Sequence, residues 1–253
     1  MLHHNNDYHH HFIFIDCSRQ PAFVQYGYLA HNAQGEYPFT YHKQLKPTDK
    51  TETLLLEIKA LSEQYSMNIA SSPPSVFVNK GPGIFTGLRI GIALAKGLSL
   101  GWNAPLIGLD HFQLMQLNII MHNSEIQDDA ILLITSAKGG RFYTQLFMQE
   151  KQQLLAQPQE LSFEEIILFQ QENPNAAFMT NDKIAYDALK HNDILSTKLI
   201  YHDYVQESAS HLLHFLKMGA SFQNRLKSLT PEAVYIREAN AALPHPLLQM
   251  QMR

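Results

Sequence analysis

The segment KGPGIFTGLRIG (80–91) carries the residue types best suited to chemistry in this 253-residue chain. It follows a short β-rich run and opens a helical one, where unpaired backbone N–H groups and the helix dipole favour an anion. Gly81 and Gly83 permit positive φ and close backbone approach. Thr86 is placed to cap the helix, and Arg89 completes the candidate phosphate-proximal set. The segment is neither a P-loop nor a dinucleotide fingerprint: it lacks a Gly-Lys-Ser/Thr ending, and the third glycine of GPGIFTG falls one residue late for G-x-G-x-x-G. Spacing alone leaves a structural turn and a phosphate cradle equally open.

Other reactive side chains are scattered. Cys17 directly follows the first apolar run and is either a nucleophile or a small buried residue; no base can be assigned to it. His211 and His214 lie three apart among Leu212, Leu213 and Phe215, a spacing that reads as structural. None of the fourteen histidines has another four residues on. The first eleven residues, MLHHNNDYHHH, contain five of them and read as a disordered tail with at most weak metal affinity. No metal site is expected. Trp102 reads as a plug for the turn after the helix.

The elements that must position these groups alternate in period. Strands are expected over FIFID (12–16), 23–30 and 37–42, with a turn at 32–35. A helix follows over 50–65, carrying Leu54, Leu55, Ile58, Leu61 and Tyr65 on one face, with Asp49 and Glu52 as its capping box. Then come SVFVN (75–79), the glycine loop and its helix, PLIGLD (105–110) and a helix near 111–121. The order recurs: strands at 131–135, 141–147 and 153–157, a helix capped by Ser162, AFMT (177–180), a helix over 182–191, KLIYH (198–202) and a helix over 207–218. Strand-strand-strand-helix-strand-helix twice over suggests an α/β protein of two tandem ribonuclease-H-like lobes, the actin-like duplication, with mixed sheets and helices on both faces; by pattern alone this is one topology among several. The lobes are expected over 12–110 and 111–237, with the helix at 207–218 able to pack back on the first, and tails over 1–11 and 238–253.

The helix after the glycine loop is apolar all round except for Arg89 and Lys96. Gly87, Gly91 and Ala95 recur every fourth residue, and so do Ala93, Gly97 and Gly101. Glycine costs up to about 1 kcal/mol per interior helical position relative to alanine, so a close backbone neighbour is expected. A helix apolar on every side is normally buried on every side. It is therefore either a central core helix or one whose second face meets another protein.

GPGIFTGLRIGIALAKGLSLG followed by PLIGLD resembles the signature of the TsaB (YeaZ) family. FIFIDCS (12–18) is similar to that family's opening strand, ITSAKGGRFY (134–143) to its hairpin, and PEAVYIR (231–237) to its closing motif, so the likeness runs from Phe12 to Arg237. The resemblance implies the actin-like fold and a part in making N6-threonylcarbamoyladenosine at tRNA position 37. It implies a subunit that is not the catalyst. This subunit pairs with TsaD through the helices at 50–65 and 88–101 in a four-helix bundle, and is joined by the ATPase TsaE. Leu54, Leu55, Ile58, Leu88, Gly91, Ile92, Ala95 and Lys96 are the expected interface. Gly91→Leu is expected to leave the monomer folded and block association. Without TsaD an apolar interface favours a homodimer. No cofactor is expected of the chain alone, and ATP or ADP with Mg at the TsaD interface stays open.

The sequence departs from the family at Lys50-Thr51, Leu56 and Thr135-Ser136-Ala137, which stand where His-Ser, a proline and Asp-Ala-Arg are usual. Asp16 supplies one carboxylate for a hard cation, and the 136–140 hairpin supplies none. The competing reading is an autonomous actin-like ATPase or phosphotransferase using the 80–87 loop; nothing resembles a protease site. Composition narrows the field further. Apolar residues make up 45 per cent, which excludes wholesale disorder. One cysteine excludes an internal disulfide and suits a reducing cytosol. No run of about 18 uncharged apolar residues or signal-peptide pattern is present, so a cytoplasmic chain without membrane contact is expected. A net charge of −4 leaves no basic footprint, so tRNA contact is expected only through the complex.

Overall fold

Alternation of side chains along a strand sorts the apolar residues of this protein into three separate cores. The computed structural model describes residues 11–19, 21–32, 35–46, 51–65, 67–121, 130–191, 199–202, 208–217 and 232–234. The segment before residue 11, the hairpin tip at 33–34, the expected cap at Asp49, the departure at Lys50 and the tail over 238–253 lie outside them.

The first lobe comprises β1 (His11–Asp16), β2 (Phe23–Asn32), β3 (Gly35–Gln44), α1 (Thr51–Gln64), β4 (Ser75–Asn79), α2 (Phe85–Trp102), β5 (Leu106–Leu109) and α3 (His111–Met121). The second repeats the order: β6 (Ala130–Ser136), β7 (Phe142–Met148), β8 (Gln153–Leu161), α4 (Phe163–Glu172), β9 (Ala177–Thr180), α5 (Lys183–Leu189), β10 (Leu199–Tyr201) and α6 (Ser208–Lys217). The sheets run β3-β2-β1-β4-β5 and β8-β7-β6-β9-β10, each with its first three strands antiparallel and its last two added in parallel. Two copies of one ribonuclease-H-like topology make up the fold, as the periodicity suggests.

Ile13, Ile15, Val76 and Val78 point to one side of the first sheet, where Leu54 and Ile58 of α1 and Ile92, Ala95 and Leu98 of α2 cover them. Phe12, Phe14 and Phe77 point to the other. In the second sheet Leu132, Ile134 and Phe178 meet Ile166 of α4 with Ala185 and Leu189 of α5. Ile131, Leu133, Ala177 and Met179 join Phe12 and Phe77 in a shared central core filled by α3 and α6. The layers therefore run helices, sheet, helices, sheet, helices. The middle helices cross over: α3 packs on β8 of the second lobe, and α6 on β1, β2 and β3 of the first.

Local signals explain most boundaries. Ser162 and Glu165 form a reciprocal capping box at α4, Asp182 caps α5, and Asn103 in the left-handed region closes α2. Four expectations need correction. α3, expected to open the second lobe, completes the element order of the first, and its His111 N–H donates to the Gly81 carbonyl there at 2.7 Å. His11 is not tail but the first residue of β1, buried, with Nε2 2.8 Å from the Ser72 carbonyl. Thr86 does not cap α2; the N-cap is Ile84, with no side-chain hydrogen bond, and Thr86 lies inside the first turn. Glu232–Val234, expected in the second lobe, lies on the first, where the Val234 N–H donates to the Lys80 carbonyl at 2.7 Å.

Candidate partner interface

Helix α2 has two glycine stripes, and the fold assigns them opposite duties. Gly87 and Gly91 face the turn after β1. A side chain at Gly87 would collide with the Cys17 carbonyl oxygen, and a Cβ on Gly91 would lie 3.2 Å from Cys17 Cβ and Sγ. Leu88, Ile92, Ala95 and Leu98 share this inner face and are buried. Among the described residues nothing lies within 4 Å of where a Cβ on Gly97 or Gly101 would sit. Thr86, Ile90, Ala93, Gly97 and Leu100 are all exposed. Their spacing alternates four and three, the 3.5-residue period of a seam that packs on other helices. Leu100 is 86% exposed, and on α1 Leu55 and Leu56 are 51% and 64% exposed. Arg89 and Lys96 flank the seam, with the Arg89 guanidinium 4.1 Å above the Phe85 ring.

Six of the eight residues expected at a partner interface are thus committed to the chain's own core: Leu54, Ile58, Leu88, Gly91, Ile92 and Ala95. Only Leu55 and Lys96 lie outside. The reason is the compensation rule itself. The chain supplies the Cys17 backbone as close neighbour for Gly87 and the Cys17 side chain for Gly91, and among the described residues it leaves Gly97 without one. Gly91→Leu is therefore expected to oppose folding, the reverse of the expectation from sequence.

The phosphate-proximal set is also reassigned. Gly81 holds φ +110°, and its N–H donates to Asn79 Oδ1 at 2.9 Å. Gly83 closes on the Ser18 carbonyl, which accepts the Ile84 N–H at 2.7 Å. Two carbonyl oxygens, those of Cys17 and Ser18, thus occupy the mouth of α2. Carbonyl oxygens repel an anion, so the glycines here serve a tight structural turn. Thr86 and Arg89 are exposed beside it.

Between the lobes lies a polar cluster. Asp16 accepts the Ser18 N–H at 2.8 Å and hydroxyl at 2.6 Å on one oxygen, and the Asn79 amide at 2.9 Å on the other. In the second lobe Asp182 accepts from the Ser136 N–H at 2.8 Å, the Ser136 hydroxyl and the Thr135 hydroxyl at 3.1 Å, while its other oxygen caps α5. Burial works against the charge of Asp182, but these Ser136 donors and the amides of Ile184 and Ala185 hold its carboxyl below the usual range. The 136–140 hairpin supplies no carboxylate, as its sequence reads; the second one comes from the β9–α5 turn. An Asp after Thr-Asn at a helix start reads as a cap, and that signal hid it.

His111 ties the lobes together. Arg19 can only donate, so Nδ1 of His111 accepts from it at 3.2 Å, and Nε2–H donates to Asn181 Oδ1 at 2.8 Å. Burial, with Arg19 beside it, brings this imidazole down to about 4. Burial pushes its neighbour Asp110 up to about 6. Burial and Asp16 push the Cys17 thiol up to about 12. A thiol so held is not a nucleophile near neutrality. His211 is buried and His214 exposed, so they do not converge on one ion. Among the described residues no three His, Cys, Asp or Glu side chains are placed to hold a metal, and no helix is long and apolar enough to cross a membrane.

A family model described as TsaD, tRNA N6-adenosine threonylcarbamoyltransferase, matches residues 51–243. The tRNA threonylcarbamoyladenosine biosynthesis protein TsaB of Escherichia coli K12 is 28% identical over 102 residues, 40% of this chain and 42% of that protein. The protein of the same description from Bacillus subtilis 168 is 37% identical over 82 residues, 32% of this chain and 33% of that protein. The matches thus span less than half the length of these curated relatives. A Pseudomonas aeruginosa structure, described as similar to peptidase YeaZ, superposes with a TM-score of 0.60 at 14% identity, covering 90% of this chain and 100% of that one. That likeness is one of fold.

Proposed function

The chain belongs to the tRNA N6-adenosine threonylcarbamoyltransferase family, in its TsaB (YeaZ) branch, and from that premise we propose that it is a non-catalytic dimerisation subunit of the complex that makes threonylcarbamoyladenosine on tRNA. Its partner is a TsaD homologue, docked on the outer seam of α2 with Leu55 and Leu56 of α1 alongside. TsaE joins that pair, tRNA meets the assembled complex, and the same seam self-pairs when TsaD is absent. The setting is the cytoplasm.

The observation carrying this reading is the outward row Ile90, Ala93, Gly97 and Leu100. Small residues at two of the four positions let another helix approach closely, and apolar residues at the other two give it area to bury. Lack of turnover is supported by saturation rather than by missing groups. The Asp16 and Asp182 oxygens each accept from the chain's own donors, and the Cys17 and Ser18 carbonyls face the first turn of α2.

A matched pair of substitutions tests it. Leu100 on α2 and Ile184 on α5 are 86% and 72% exposed. Leu100→Glu is expected to weaken association with the TsaD homologue at least tenfold by calorimetry, because a charge is trapped in an apolar contact. Ile184→Glu is expected to leave it unchanged. Equal binding by both variants removes the seam as the interface. Steady Mg-ATP hydrolysis by the purified chain favours an autonomous ATPase or phosphotransferase instead.

A further inference from the structure

Among the described residues after α6, Glu232–Val234 lie on the first lobe, at the loop that launches α2. There the Val234 N–H donates to the Lys80 carbonyl at 2.7 Å. The Val234 carbonyl oxygen sits where a side chain on residue 81 would begin: a Cβ there would lie 2.9 Å from it and 3.0 Å from Leu88 Cδ1. Glycine at 81, with φ +110°, is what allows the segment to lie so close. Ala233 packs on the core cluster that holds α1 and α2.

The same loop is gripped from its other side. Lys80 N–H donates to the Leu109 carbonyl at 3.0 Å, and the Gly81 carbonyl accepts the His111 N–H at 2.7 Å. Lys80 itself is 3% exposed. Asp110 from the β5–α3 turn and Glu232 from the returning segment are the carboxylates that act on its ammonium. A buried lysine without such partners carries a large desolvation cost. Glu232 thus gives the segment an electrostatic attraction to Lys80 in addition to its backbone contact.

We propose that Glu232–Val234 is a strap that fixes the launching loop of α2, so that the C-terminal segment controls how rigidly the docking helix is presented to its partner. This rests on the reading of α2 as the docking helix. The strap contributes no residue to the outer seam. It acts on Lys80 and Gly81, and through them on Leu88, the first buried anchor of the helix.

The experiment uses the full chain with Val234→Pro, which removes the N–H donor, and separately Glu232→Gln, which removes the charge. Amide hydrogen exchange over residues 85–91 of the isolated protein is expected to quicken at least tenfold in Val234→Pro and less in Glu232→Gln, with α5 unchanged. Association with the TsaD homologue is expected to weaken at least fivefold in Val234→Pro. Should that variant lose structure throughout, Glu232→Gln decides by the same two readouts. Wild-type exchange over 85–91 in the deciding variant overturns the strap, and so does faster exchange with unaltered association. If the unmodified chain does not bind the TsaD homologue at all, the docking reading has failed, whatever the exchange shows.

Discussion

In the first lobe the helix after the fourth strand, α2, runs for 18 residues and turns Ile90, Ala93, Gly97 and Leu100 outward. Its counterpart in the second lobe, α5, runs for 7 and ties its surface with Lys183–Asp187 at 2.7 Å and Lys190–Asp187 at 2.6 Å. Exposed, solvent-screened pairs of this kind add little, so they mark a solvated surface rather than a source of stability. The carboxylates differ too: Asp16 ends β1, whereas the second lobe keeps Ser136 there and places Asp182 after β9. One strand order thus fixes where a helix or a polar group can stand, and leaves its chemistry free to diverge.

The sharpest way to break the contrast is at the inner stripe of α2. Gly87→Val would drive two methyls and a Cβ into the Cys17 carbonyl, which is backbone and cannot rotate aside. Overpacking usually costs about 1–3 kcal/mol, and rigid backbone places this case at or above the upper end. A fall of that size in urea-unfolding stability is expected. A variant as stable as the parent would mean that the turn at Cys17–Ser18 yields, and that the lobe's helix is not locked from within.

Most of this architecture is legible in the sequence because periodicity and caps are local signals. SVFVN and AFMT form strands over the expected residues, and Ser162 with Glu165 announces α4. The face that α2 buries is not legible. Leu88, Ile90, Ile92, Leu94, Leu98 and Leu100 surround it, so no hydrophobic stripe singles out a direction. Contact with Cys17, seventy residues earlier, decides it. The His111–Asn181 bridge is equally hidden, because it joins residues from different lobes.

The junction between the lobes should reveal opposing pH effects. Asp110 titrates near 6 in the fold against 3.8 ordinarily. The folded protein therefore gains stability from this group as pH falls from about 6 towards 3.8. His111 titrates near 4 against 6.5. The unfolded chain takes up its proton first, so this group removes stability as pH falls from about 6.5 towards 4. The two effects oppose each other across this range. Asp110 Oδ1 accepts the Gln113 N–H at 2.8 Å in the first turn of α3; Asp110→Asn should keep that bond yet steepen the loss of stability between pH 6.5 and 4.5. His111→Gln, which can still accept from Arg19 and donate to Asn181, should make acidification over that range stabilising relative to the parent. Chemical denaturation at the two pH values separates the cases, and parallel pH profiles for parent and both variants would refute the opposed shifts.

The smallest effect distinguishes the two glycine stripes most cleanly. Gly97 sits in the interior of α2, and among the described residues an added methyl would meet nothing within 4 Å. Within the isolated chain the glycine therefore costs helix propensity and returns no packing. Gly97→Ala should raise the stability of the isolated protein by up to about 1 kcal/mol, the reverse of Gly87→Val on the same helix. If the outer seam receives another helix at close range, the same methyl should weaken association with the TsaD homologue. A stabilised monomer that docks less well would tie the glycine to docking rather than to folding. Stabilisation with undiminished docking would mean that the partner helix does not approach at residue 97, and would move the contact towards Leu100 and the α1 side.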